Sequence, residues 1–329
     1  MNIGDSCPYT SECIRFAMTG CNGIDHQCCP DKPTPDNYRP NPYKDKTILI
    51  TGGTGSFGTA FAKHLRNCPP KKLIIFSRDW LKQKNLKDEL NEPWVRYFIG
   101  DIRDRDRLTR AFKDVDIVIH AAAIKDLESC EYNPSEAMRT NVQGTQNVID
   151  ACIERKVSRC LFISTDKAVA PINTYGASKA LAEKLWINAN KYAADDDIKF
   201  SVCRYGNVVG SAGSIVPRWK KLIEAGEKEL PVTDERMTRF WFLMSDVVTF
   251  VDNSLKSMTG GEIFIPTLPS VRITDVAKAF GLPHKIVGVR EGEKIHETMG
   301  QYAGDTLIDS GNNPWFLNVE EIKETLEEI

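Results

Sequence analysis

From Thr47 onward, short apolar runs alternate with longer stretches whose apolar positions recur at helical spacing. The runs at 47–51, 73–76, 95–99, 117–121, 160–164 and 200–203 are rich in β-branched and aromatic residues and predict strands. The intervening stretches predict helices over 56–66, 81–90, 105–112, 134–154 and 174–194. Regular alternation of this kind argues for an α/β fold with a doubly wound, Rossmann-type parallel sheet. After about Gly206 the rhythm becomes irregular, with helical patterns at 216–225, 247–256 and 273–280, which predicts a smaller substrate lobe.

Upstream, residues 30–42 are rich in Pro, Asn and Asp and read as an extended linker. The expected division is therefore a Cys-rich extension and linker over 1–43, a dinucleotide-binding domain over 44–205, and a lobe over 206–329 with some segments returning to the sheet.

A chain of 329 residues, 41% of them hydrophobic, suffices for a sizeable core. The net charge of -2, with both signs interspersed, gives no footprint for nucleic acid or a membrane surface. No apolar stretch approaches the roughly 18 residues of a spanning helix, and the N-terminus lacks the apolar core of a signal peptide. The expected compartment is the cytoplasm.

Of ten cysteines, Cys7, Cys13, Cys21, Cys28 and Cys29 crowd the start, with His26 nearby. Disulfides, a metal site and a redox-sensitive patch all remain open readings there, and no metal is assigned. Cys130, Cys152, Cys160 and Cys203 sit in apolar or helical contexts and read as small hydrophobes.

The candidate chemistry lies at the predicted strand ends. The first strand runs into Thr51-Gly52-Gly53-Thr54-Gly55-Ser56-Phe57-Gly58, which spaces Gly52, Gly55 and Gly58 three apart. A glycine turn between strand and helix lets backbone approach a pyrophosphate at the helix N-terminus. Thr54, Ser56 and Phe57 fall within the same turn. The second strand ends in Ser77-Arg78-Asp79, where an acidic residue would favour NAD. Arg78 with Lys82 instead suits the 2′-phosphate of NADP, although a solvated Arg78 beside a helix-capping Asp79 is the plain alternative. Asp101, Ile102 and the small run Ala121, Ala122 and Ala123 follow the next two strands and leave room for the cofactor; plain helix-sheet packing would also use them. Asn141, polar within an apolar helix pattern, suggests a role beside the Tyr175 and Lys179 pair rather than exposure to solvent.

The stretch 164–179 concentrates Ser164, Asp166, Lys167, Tyr175 and Lys179 beyond a strand. Tyr175 and Lys179 are four apart and share one helix face. A lysine beside a phenol lowers its pKa. Asp166 and Lys167 could equally be a surface ion pair.

These motifs resemble the extended short-chain dehydrogenase/reductases, through the glycine turn, Ser164 and Tyr-x-x-x-Lys. More narrowly, the chain is similar to the inverting UDP-N-acetylglucosamine 4,6-dehydratases (5-epimerases). TGGTGSFG from Thr51, SRDWLKQ from Ser77, GDIRDRDRL from Gly100, EYNPSEAMRTNV from Glu131, STDKA from Ser164, YGASK from Tyr175, RYGNVVGS from Arg204, MTRF from Met237 and GEKIHE from Gly292 carry the likeness. The resemblance implies NADP as cofactor and a UDP-sugar substrate. It gives Tyr175 as base at the C4 hydroxyl, with Lys179 holding the ribose and keeping the phenol acidic. Lys167 would take the C5 hydrogen as a neutral amine, made so by burial near a cationic neighbour, and Asp166 would protonate the departing C6 hydroxyl. Lys125, Thr165, Asn207, Arg239, Arg290 and Glu293 would surround the sugar nucleotide. A homo-oligomer, hexameric or dimeric, is implied in the same way. Lys125-Asp126-Leu127-Glu128, Ala212 and Glu291 depart from the family pattern around the sugar pocket, and the Cys-rich head has no counterpart in it. A UDP-sugar 4-epimerase would use the same Tyr175 and Lys179 without needing Asp166 and Lys167. A non-catalytic NADP-binding protein with a docking head is the third reading.

Overall fold

The structure, a computed structural model, describes residues 41–193, 197–303 and 306–329. The cysteine cluster with His26 lies outside the described residues. Six parallel strands, β1 (Thr47–Thr51), β2 (Lys72–Ser77), β3 (Val95–Ile99), β4 (Ile117–His120), β5 (Arg159–Thr165) and β6 (Lys199–Tyr205), form one sheet in the order β3-β2-β1-β4-β5-β6. The order reverses beside β1, so the crevice between the C-terminal ends of β1 and β4 is the ligand-binding position of such a sheet. β1 is buried along its whole length, as expected for a parallel strand covered on both faces.

Helices cover both faces: α1 (Ser56–His64), α2 (Trp80–Leu90), α3 (Arg105–Ala111), the short α4 (Leu127–Tyr132) and α5 (Pro134–Ala137), then α6 (Gly144–Glu154) and α7 (Thr174–Tyr192). The single helix predicted over 134–154 is interrupted by a π-wound segment, Met138–Gln143, between α5 and α6. The extra residue of a π turn rotates the segment, and Asn141 is thereby turned into the protein, 1% exposed. One apolar core on the α1 face includes Phe61, Ile75 and Leu161. The other, on the α6 and α7 face, is built around Phe162, Trp186 and Phe200.

After β6 come α8 (Ile215–Glu224), β7 (Leu230–Val232), β8 (Thr238–Phe240), α9 (Met244–Ser257), β9 (Ile263–Phe264), β10 (Ser270–Arg272), α10 (Ile273–Ala279), β11 (His284–Ile286), β12 (Thr298–Ala303), β13 (Thr306–Asp309) and α11 (Val319–Glu327). β9 joins the main sheet as a seventh strand parallel to β6. The other short strands form three two-stranded sheets, β8 with β10, β7 with β11 and β12 with β13. A separate apolar cluster around Trp219, Trp241 and Val271 packs this part. Cys130, Cys152, Cys160 and Cys203 are buried free thiols. Among the described residues no helix is long and apolar enough to cross a membrane.

Candidate active site

The glycine turn is built for close approach. Gly52 has φ +67, and a Cβ there would lie 2.8 Å from the Ala122 backbone, so the turn and the end of β4 touch with no room for a side chain. Gly55 caps α1 without a side-chain bond, leaving the amides of its first turn for a ligand. This cradle fits the pyrophosphate of a dinucleotide. Beyond β2, Asp79 accepts from the amides of Leu81 and Lys82 at 3.0 Å, so it caps α2. Arg78, more than half exposed, stands 3.6 Å from Asp101, whose carboxylate is mainly held by Arg103 at 2.7 Å.

His120 is buried where the turn meets β4. Its Nδ1 lies 2.6 Å from Thr51 Oγ1 and its Nε2 3.0 Å from Thr145 Oγ1. Thr145 Oγ1 donates to Asn141 O at 2.6 Å, so its oxygen accepts from a protonated Nε2, and Thr51 donates to Nδ1. Burial, with the Lys179 charge adding to it, drives the His120 pKa well below its ordinary value and keeps the ring neutral.

At the end of β5 a single 3-10 turn, Asp166–Ala168, carries the acid and the amine. α7 begins with Asn173, which accepts from Gly176 N at 2.7 Å. A Cβ on Gly176 would meet Lys167 O at 2.2 Å. Only glycine there allows the first turn of α7 to lie against the Asp166–Ala168 turn and bring Tyr175 to Lys167.

Lys179 donates to Ile163 O at 2.7 Å and lies 3.8 Å over the Phe162 ring. Burial lowers its pKa to about 7, against a smaller upward pull from Glu183. Burial pushes the Tyr175 phenol up to about 12, while Lys167 and a hydrogen bond with Thr165 pull it back. Lys167 is thus a cation that acts on the phenol in this structure.

Lys167 departs from expectation. Burial and Arg239 favour the neutral amine, but the carboxylates of Asp166 and Glu297 outweigh them and raise the pKa above the usual lysine value. Its Nζ lies 3.2 Å from Asp166 Oδ1, 3.0 Å from Glu297 Oε1 and 3.3 Å from Asn207 Oδ1. The resting amine is an ammonium, because two anions face it. Asp166 is fully buried; Thr165 Oγ1 donates to its Oδ1 at 2.9 Å, and its Oδ2 has no hydrogen-bond partner. The buried Ser164 hydroxyl is likewise unpartnered. Buried polar atoms are ordinarily hydrogen-bonded, so these two fit a polar ligand.

The remaining candidates are spread around this centre. Lys125 reaches over to donate to Ala212 O at 3.0 Å, and Ala212 N donates to Ser56 Oγ at 3.1 Å, so Ala212 of the later half is held at both its carbonyl and its amide, the latter by the first residue of α1. Arg239 is buried and spends its donors on the carbonyls of Thr238, Lys294 and Ile295, with Glu293 at 3.8 Å. Arg290 is exposed and acts on Asp126 only through its charge. Glu297 and His120 were not singled out from the sequence. Glu297 stands in the GEKIHE motif, the one signal that pointed toward it.

The profile of the polysaccharide biosynthesis protein family matches residues 48–309. The chain is 55% identical over 260 residues to a UDP-N-acetylglucosamine 4,6-dehydratase (inverting) of Campylobacter jejuni, covering 78% of each chain. It is 42% identical over 267 residues to a UDP-glucose 4-epimerase of Rickettsia akari, again covering 78% of each. Among solved structures it superposes on Pen from Bacillus thuringiensis with a TM-score of 0.82 at 31% identity, covering 87% of this chain and 98% of that one. By these matches the chain belongs to the polysaccharide biosynthesis protein family and, among the extended short-chain dehydrogenase/reductases, to the inverting UDP-N-acetylglucosamine 4,6-dehydratases.

Proposed function

We propose that the chain catalyses the NADP-dependent 4,6-dehydration of UDP-N-acetylglucosamine with inversion at C5, giving a UDP-2-acetamido-2,6-dideoxy-4-keto-hexose for glycan assembly. The observation that carries this reading is the pairing of buried Asp166 with part-buried Lys167, 3.2 Å apart beside Tyr175, with one carboxylate oxygen left without a partner. An epimerase needs the phenol and Lys179 but has no use for that acid and amine.

The Gly52 to Gly58 turn, the small residues after β4, Ser77 and Arg78 would hold the dinucleotide, with Lys179 at its ribose. When bound, that cofactor takes hydride from C4 and returns it to C6, ending as it began. Tyr175 accepts the proton of the C4 hydroxyl. The resting ammonium and carboxylate reach their working forms by moving one proton from Lys167 Nζ to Asp166 Oδ1, which leaves an amine and a carboxylic acid. The amine then takes the C5 proton, the C6–O bond breaks, and Asp166 gives its proton to the leaving oxygen, which departs as water. The pair is back to ammonium and carboxylate without outside acid or base. The proton that Tyr175 took from the C4 hydroxyl is matched by one delivered to C5 from the face opposite Lys167, which inverts that centre and returns Tyr175 to the phenolate in which it began.

Thr165, Asn207, Lys125, Arg239, Arg290 and Glu293 are the residues for the sugar and diphosphate. Arg239 must exchange some of its carbonyl contacts for phosphate, so the 293–295 segment would reorganise with substrate. Exposed Met138 and Leu181, on segments flanking the site, support a homo-oligomer. We place the reaction in the cytoplasm.

The 42% identity to a UDP-glucose 4-epimerase supports the second reading, a UDP-sugar 4-epimerase. Incubation with NADP and UDP-N-acetylglucosamine in D2O, followed by NMR and mass spectrometry, separates the two. Loss of one water with deuterium at C5 is expected. Isomerisation without water loss would establish the epimerase, and no turnover would leave a binding protein.

A further inference from the structure

Glu297 comes from the distant end of the chain, just before β12, and is 1% exposed. Its backbone is fixed on both sides: Glu297 N donates to Ser310 Oγ at 2.9 Å, and Ser310 N donates to Glu297 O at 2.8 Å. Two residues on, Met299 O accepts from Arg204, whose guanidinium is gripped by Glu183 at 2.6 and 3.0 Å. A carboxylate anchored this firmly is not a flexible surface acid that happens to reach a lysine.

Its target is the catalytic amine. Lys167 Nζ has three donors, and three acceptors stand around it: Asp166 on its own turn, Asn207 after β6, and Glu297. Asn207 is exposed and would be drawn to substrate, and Asp166 must change its protonation state. Glu297 is the fixed member of the set. The other charged and titratable groups facing this cluster are Tyr175 on α7, Arg239 on β8 and Lys294, whose Nζ lies 3.9 Å from Glu297 Oε2 and donates to Val169 O at 2.7 Å.

We propose that Glu297 is a positioning residue of the elimination: it anchors the Lys167 amine opposite Asp166 and keeps on the pair the single proton that the two share. This rests on the assignment of Lys167 and Asp166 as base and acid. An anion beside an ammonium favours the protonated form, so the Glu297 charge retains that proton at a pH where a buried lysine near Arg239 would otherwise shed it. Without the proton Asp166 has nothing to give to the leaving oxygen, and the alkaline limit of the reaction is set by Glu297.

The test uses the full chain and two readouts. Competitive acylation of the free protein with acetic anhydride, read at the Lys167 peptide by mass spectrometry across pH, needs neither cofactor nor substrate. Glu297→Gln is expected to raise Lys167 acylation about tenfold or more near pH 8, because the neutral fraction grows as the pKa falls. Glu297→Asp, which keeps the charge, should stay near wild type and controls for folding of the site. In turnover, Glu297→Gln should move the alkaline limb of kcat/KM to lower pH, with KM for UDP-N-acetylglucosamine within about threefold, and Glu297→Asp should restore most of the limb. An acylation profile unchanged in Glu297→Gln overturns the proposal. So does a loss of kcat that is the same at every pH, which is what a purely structural role would give. The Glu297→Gln acylation shift, found together with a wild-type protein that fails to dehydrate the sugar, would overturn the functional reading and leave the Glu297–Lys167 coupling standing.

Discussion

Asn141 holds the backbone of Ile124 on both sides, accepting from Ile124 N at 2.8 Å and donating to Ile124 O at 2.9 Å. The same amide donates to Ser178 Oγ at 3.0 Å, and Ser178 donates to Tyr175 O at 2.7 Å. One side chain on the π-wound segment therefore ties the loop after β4 to the first turn of α7. Replacing it leaves part-buried backbone groups and the buried Ser178 hydroxyl without this partner, each costing roughly 1–3 kcal/mol. Asn141→Leu should lower stability by about 2–4 kcal/mol on that basis, read from urea midpoints at constant m. A loss under about 0.5 kcal/mol would mean that water replaces the amide.

Gly176 makes a sharper geometric prediction. Gly176→Ala places a methyl 2.2 Å from Lys167 O, so α7 must lift away from the Asp166–Ala168 turn. Tyr175 and Lys167 should separate while the glycine turn after β1 is untouched. The expected result is a fall in kcat of about 10²-fold, the scale of a displaced catalytic group, with NADP binding by calorimetry weakened far less, since Lys179 is the one proposed cofactor contact carried by α7. Equal loss of both would point to general unfolding.

The contrast between contiguous and assembled features explains what could be read from the chain. Strands β1 to β6 were legible because parallel strands covered on both faces are continuous apolar runs. The Ser164 to Lys179 cluster was legible because a strand end, one 3-10 turn and one helix start are adjacent in sequence. Glu297 was not, since an acid in a polar segment has no periodicity to mark it, and only the Ser310 and Arg204 anchors bring it to Lys167. The ionisation of Lys167 was not legible for the same reason: an unnamed cationic neighbour was expected beside it, and the carboxylate of Glu297 reaches it only through the fold. The π turn at Met138–Gln143 was invisible because its apolar spacing matches an ordinary helix, although the inward role expected for Asn141 depends on it. The short strands of the later half, such as the three residues of β8, fall below any pattern length.

Lys179 predicts a pH dependence of folding. Its folded pKa is about 7 because of burial, against 10.5 when solvated. Between those values the unfolded chain binds the extra proton, so stability rises with pH, by up to about 1.4 kcal/mol per unit. The contribution is complete above about pH 10 and is lost as the pH falls to about 7. Urea titrations of the cofactor-free protein from pH 7 to 9 should show this slope, and Lys179→Met should abolish most of it. An equal slope in the variant would assign it to other groups.

In the proposed function, Arg78 would decide between the two dinucleotides. Its guanidinium is 58% exposed and only loosely paired, 3.6 Å from Asp101, whose carboxylate is already occupied by Arg103. Donors are therefore free for a phosphate, whereas the acid next in sequence, Asp79, is engaged in capping α2. A charge-assisted bond to the 2′-phosphate contributes about 1.5–3 kcal/mol, or roughly 10- to 150-fold in Kd. Arg78→Ala should weaken NADP by that factor, with the wider effect at low salt, and leave NAD within about twofold. Titration of both cofactors by calorimetry makes the comparison in one experiment. If NADP and NAD weaken equally, the guanidinium supports the fold of the β2 end and does not read the phosphate.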